Sequence, residues 1–103
     1  MTKYHAVKTT IDGIRFDSKA EAARYNVLKL LERNGNISLL VIHPVYPLVV
    51  MGQKVGKYIA DFEYVDEFGR EVVEDVKGVK TPVYRLKKKL VKALYGIDIL
   101  ETQ

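Results

Sequence analysis

Cysteine is absent from this sequence, which excludes disulfide staples, zinc–thiolate centres and cysteine nucleophiles. That absence suits a reducing compartment, and a cytoplasmic location is expected. Long apolar runs are also missing. The longest lies around Leu39 to Ile42, far short of the roughly 20 residues that cross a bilayer, so no membrane partner is expected. The first eight residues are polar and carry Lys3, His5 and Lys8, not the apolar stretch of a signal peptide. Histidine is scarce: His5 and His43 are the two, each read as structural or exposed rather than catalytic. There is no Ser/His/Asp set, glycine-rich phosphate loop or paired-histidine zinc motif. Repeats, low-complexity tracts and linkers are lacking, and 103 residues fit one domain spanning 1–103.

What is present describes a globular domain. Hydrophobic residues make up 48% and charged residues 29%, which argues against disorder. The net charge of +4 is unevenly spread. Between Val76 and Ile97 lie seven bases (Lys77, Lys80, Arg85, Lys87, Lys88, Lys89 and Lys92) and no acid. The remainder holds ten bases and all thirteen acids, so this one segment carries the whole positive excess, as an electrostatic footprint for nucleic acid would.

Asp12-Gly13 between β-prone runs predicts a hairpin of Val7–Ile11 and Ile14–Phe16. Ser18-x-x-Glu21 fits a capping box, and Ala20, Ala23, Val27, Leu28, Leu30 and Leu31 keep a helical period, so a helix is expected over Lys19–Arg33, closed by Asn34-Gly35. Strands follow at Ile37–Ile42 and Val45–Met51, where Pro44 and Pro47 suit an edge or a bulge. A turn is expected at Gly52–Gly56, then a strand over Lys57–Val65, a turn at Asp66–Gly69, and an antiparallel partner at Glu71–Lys77 ended by Gly78. Thr81-Pro82 opens a second helix with an apolar stripe of Val83, Leu86, Leu90, Ala93 and Leu94. Gly96 ends it before a last short strand at Ile97–Leu100. The order predicts an α/β domain: a mixed central sheet flanked by helices.

Alternate side chains share a face of a strand, so Asp75 and Lys77 project together while Glu74 points away and reads as a surface residue. If Lys57–Val65 and Glu71–Lys77 form a hairpin, Asp61 comes beside Asp75. Two neighbouring carboxylates repel unless a positive group separates them, and Mg²⁺ is an oxygen-seeking counterion for such a pair. Lys77 alongside could hold or deprotonate an attacking water, or neutralise charge on a phosphate.

Asp61, a turn, and then Asp75-Val76-Lys77 resemble the core of the PD-(D/E)xK nuclease superfamily. The likeness widens to a phage and prophage family of unknown function within it. It runs through Asp12-Gly13, Phe16 to Lys19, Glu21, Tyr25, Tyr58, Ala60-Asp61-Phe62, Tyr64, Asp75, Lys77-Gly78, Thr81, Tyr84 and Lys87. The sequence departs from it at Ala60, where the superfamily name has proline, and at His43-Pro44, where relatives often carry Gln-Pro. The resemblance implies a restriction-endonuclease-like core and Mg²⁺-dependent cleavage of DNA, with Mn²⁺ substituting. It implies metal binding by Glu21, Asp61, Asp75 and the Val76 backbone carbonyl, with Glu21, Asp61, Asp75 and Lys77 as the catalytic set. It further implies a structure-specific enzyme of phage origin acting on branched DNA such as a Holliday junction, and a homodimer, since two symmetric cuts need two sites.

Plainer readings stand beside these. Glu21 could serve only the capping box. Asp61 could pair with Lys77 across the strands, although that leaves Asp75 unexplained. Glu63 reads as a solvated strand residue. Lys80, Tyr84, Arg85, Lys87, Lys88, Lys89 and Lys92 are expected at the DNA, against the alternative of a solvated helix face with Tyr84 as ordinary packing. The rival functions are a non-catalytic DNA-binding module with a nuclease-like fold, and a protein-interaction domain whose basic helix is incidental.

Overall fold

A computed structural model describes residues 7–77 and 79–103; His5 and Gly78 lie outside them. The elements are β1 (Thr9–Ile11), β2 (Ile14–Phe16), α1 (Lys19–Arg33), β3 (Ser38–Ile42), β4 (Val45–Val50), β5 (Gln53–Ile59), β6 (Phe62–Val65), β7 (Glu71–Val76), α2 (Pro82–Tyr95) and β8 (Leu100–Thr102). The central sheet runs β3-β6-β7-β8. Its first two pairings are antiparallel and β7 with β8 is parallel, so the sheet is mixed, as the order of elements predicts. Among the described residues no helix is long and apolar enough to cross a membrane.

Local chemistry sets the helix ends. Ser18 caps α1 by accepting from the Glu21 N–H at 3.2 Å. Thr81 caps α2 by accepting from the Tyr84 N–H at 3.1 Å, with Pro82 at the first helical position. Both reduce the set of unmade N–H bonds at a helix start.

Two cores lie on opposite faces of β7. Phe62, Tyr64 and Val76 pack with Phe16, Ala22, Tyr25 and Leu28 under α1. Val73 packs with Tyr84 and Val91 of α2, and with Leu48 and Tyr58 of the β4–β5 hairpin. Because helices cover both faces, an outward position on one is an inward position on the other. Glu74, expected at the surface, is therefore wholly buried. It is tolerated because Arg24 of α1 grips it with two bonds of 2.6 and 2.9 Å, and the Tyr64 hydroxyl donates at 2.7 Å, satisfying a charge that would otherwise be costly to bury. Burial first, then this bond to Glu74, pushes the Tyr64 hydroxyl up to about 12.

Other expectations shift. The turn expected at Gly52–Gly56 is the pair Met51-Gly52, with φ of +50° and +80°, as a two-residue hairpin turn requires. The strand expected over Lys57–Val65 breaks at Ala60-Asp61 into β5, which pairs with β4, and β6, which pairs with β3 and β7. The break is held by other bonds: Asp61 N–H donates to Asp75 Oδ1 at 2.8 Å and Val76 N–H donates to Asp61 Oδ2 at 2.7 Å. The last strand begins at Leu100 rather than Ile97, its register fixed by Asp75 opposite Glu101 and a Lys77 N–H bond to the Thr102 carbonyl. On α2 the buried residues are Tyr84 and Val91, while Val83 and Leu86 are 62% and 60% exposed. Leu90 of the expected stripe does pack against their core, but the rest of the stripe lies off the core face, which is set by where β7 and the β4–β5 hairpin meet the helix.

Candidate metal centre and basic cleft

Three chain segments meet where the central sheet gives way to the β4–β5 hairpin. Glu21 comes from the first turn of α1 and is 1% exposed. Asp61 sits in the break between β5 and β6, and His43 in the corner between β3 and β4. Two bonds tie that corner to the break: His43 N–H to the Asp61 carbonyl at 3.0 Å, and Ala60 N–H to the Pro44 carbonyl at 3.1 Å. Glu21, His43 and Asp61 each present a potential ligand atom, and all three atoms lie within 4.8 Å of one another. Two carboxylates and an imidazole at that separation make a donor set that a divalent cation fits, because it removes the repulsion between the acids. Glu21 also keeps a capping role, since the Ser18 hydroxyl donates to its Oε2 at 3.1 Å.

Asp75 does not join that three-residue group. Its Oδ1 accepts from Asp61 N–H, and its Oδ2 lies 3.5 Å from Lys77 Nζ. Lys77 therefore pairs with Asp75 rather than Asp61, and its ammonium also rests 4.0 Å from the centre of the Tyr84 ring. Val76 contacts Asp61 through its N–H. The expected residues thus fall into two touching halves, Glu21 with Asp61 and Asp75 with Lys77, joined by the Asp61–Asp75 bond. His43, read from the sequence as structural or exposed, joins this candidate group; a lone histidine before a proline carries no spacing signal. Glu63 accepts from the Tyr46 hydroxyl and lies outside both halves.

Beyond Tyr84 opens a cleft of about 720 Å³ lined by Lys80, Arg85, Lys88, Lys89 and Lys92 with Asp98 and Glu101. Glu101 gathers three donors: the Tyr84 hydroxyl at 2.6 Å, Lys80 at 3.0 Å and Lys88 at 3.2 Å. The tyrosine bond, then the lysines, hold its carboxyl down to about 2. Burial first, then Glu101, raises the Tyr84 hydroxyl above the ordinary tyrosine range. Lys92 pairs with Asp98 at 2.8 Å. Among the described residues, no ion pair holds Arg85, Lys87 or Lys89. Lys87 turns instead towards a smaller hollow with Lys57, Ile59 and Val83.

The model of a family described as "Protein of unknown function (DUF1064)" matches residues 1–100. No curated protein matches the sequence.

Proposed function

We propose that this chain, which belongs to the DUF1064 family, is a divalent-metal-dependent DNA endonuclease of PD-(D/E)xK type. The observation that carries the reading is the meeting of Glu21, His43 and Asp61 ligand atoms within 4.8 Å, with the Asp75–Lys77 pair one hydrogen bond away. These residues would hold the cation on Glu21 and Asp61, with His43 available to it. When bound, the cation supplies Lewis-acid polarisation of the phosphate and a more acidic water.

The chain's own groups supply the rest. Lys77 presents a positive charge that Asp75 and the Tyr84 ring hold in place, suited to stabilising charge that develops on the phosphate or to orienting the water. Asp75 fixes Asp61 through the backbone N–H. The cleft beyond Tyr84 would grip the sugar–phosphate backbone, which positions DNA without reading its sequence. Branched or junction DNA is the substrate that the resemblance to phage resolvase-like enzymes favours, and on it the chain would work as a homodimer.

The test is incubation of the protein with branched, flap, duplex and single-stranded DNA, in Mg²⁺ and separately in Mn²⁺. Wild type should cut at least one of them. Asp75→Asn and Lys77→Ala should lose cutting by about two orders of magnitude or more, while DNA binding is kept. No cutting of any substrate with either ion defeats the reading. That result, with salt-sensitive binding intact, would favour a non-catalytic DNA-binding module, a reading to which Asp75's place outside the three-residue group lends weight.

A further inference from the structure

We infer that His43 is a metal ligand and that it tunes this centre towards Mn²⁺ and away from Mg²⁺. The inference rests on the metal site proposed above and deepens it by naming the ion. Two acids alone would make an all-oxygen site, which suits Mg²⁺, a small ion that demands a near-ideal octahedron and keeps its waters. An imidazole changes the chemistry. Nitrogen ligands favour first-row transition ions, while carboxylates and water serve Mg²⁺ and Mn²⁺ alike. A site of one nitrogen and two carboxylates, open to water on its remaining positions, therefore gains affinity for Mn²⁺ with little gain for Mg²⁺.

The geometry supports a ligand rather than a bystander. His43 and Asp61 are locked to each other by the bond from His43 N–H to the Asp61 carbonyl at 3.0 Å, so the backbone that carries one ligand also aims the other. The imidazole lies against the Phe16 ring at 5.8 Å between centroids, which limits its rotation. A wholly buried phenylalanine thus backs a half-buried histidine with a ring nitrogen within 4.8 Å of a carboxylate oxygen of each acid. Fixing a donor before the ion arrives is what makes a ligand effective.

The experiment is pulsed electron paramagnetic resonance on the full chain loaded with Mn²⁺, alongside Mn²⁺ and Mg²⁺ titrations. The wild-type complex should show nitrogen modulation from a directly bound imidazole. His5 is the other histidine in the sequence, and His5→Gln should keep that modulation. His43→Gln, which offers oxygen instead, should lose it and should bind Mn²⁺ about tenfold more weakly, with Mg²⁺ affinity nearly unchanged. A role in folding alone would weaken both ions together. Mn²⁺ bound to wild type without nitrogen modulation, or an unchanged Mn²⁺/Mg²⁺ ratio in His43→Gln, overturns the role of His43 and leaves the metal site standing. No binding of either ion overturns both.

Discussion

At the residue scale, the chain relies on charges placed where they are held from several sides. Arg24 lies one turn beyond Glu21 on α1, and its grip on Glu74 ties that turn to β7, next to Asp75. The pair therefore ties together the two halves of the candidate site as well as the core beneath α1. Arg24→Met should cost about 3 kcal/mol of unfolding free energy, because it strands a buried carboxylate. Adding Glu74→Leu to it should restore most of the loss. Urea denaturation of the three proteins checks this, and a double variant no more stable than Arg24→Met would show that the pair is not what the core lacks. Strand alternation and the expected hairpin brought Asp61, Asp75 and Lys77 together in the sequence, and the resemblance added Glu21; the structure sets Glu21 beside Asp61 and Asp75 beside Lys77. The sequence hid Glu74 because alternation tells which residues share a face, not whether a helix covers that face. It hid His43 because its neighbours Glu21 and Asp61 arrive from 22 residues before and 18 after.

At the scale of elements, termini were legible and faces were not. Ser18, Thr81-Pro82 and Gly96 mark the helix ends by backbone chemistry that acts within a few residues, and both helices run between those marks. The break at Asp61 could not be read this way. It depends on bonds to Asp75 and Val76 across 14 and 15 residues. The face of α2 was misread for a similar reason. Of its apolar stripe, Val83, Leu86, Ala93 and Leu94 are exposed and Leu90 packs against the core, where Tyr84 and Val91 are buried. Stability should follow the observed face. Val91→Ala should cost about 1–2 kcal/mol through the void it leaves, whereas Leu86→Ala, at a residue 60% exposed, should stay within about 0.5 kcal/mol. Thermal and urea unfolding of both variants decides it, and the reverse order would return the core to the stripe.

At the scale of the whole molecule, charge is segregated in sequence and partly neutralised in space. The segment with seven bases and no acid folds so that β8 and the residues before it bring Glu101 and Asp98 against it, occupying Lys80, Lys88 and Lys92. On the reading proposed above, Arg85, Lys87 and Lys89 would be the bases that meet phosphates, which predicts a modest salt dependence for wild type. Three phosphate contacts give a slope of about −2.7 for log affinity against log salt. Glu101 holds Lys80, Lys88 and Tyr84 on one carboxylate, so Glu101→Gln should release two cations. Five contacts steepen the slope to about −4.5, and binding at low salt should tighten. The measurement is fluorescence anisotropy with a labelled junction oligonucleotide over a range of salt, in an Asp75→Asn background so that no strand is cut. A slope that stays the same in Glu101→Gln would mean that the cleft beside α2 does not carry the phosphates, because lysines freed from a carboxylate have no other way to leave the salt dependence unchanged while DNA lies across them.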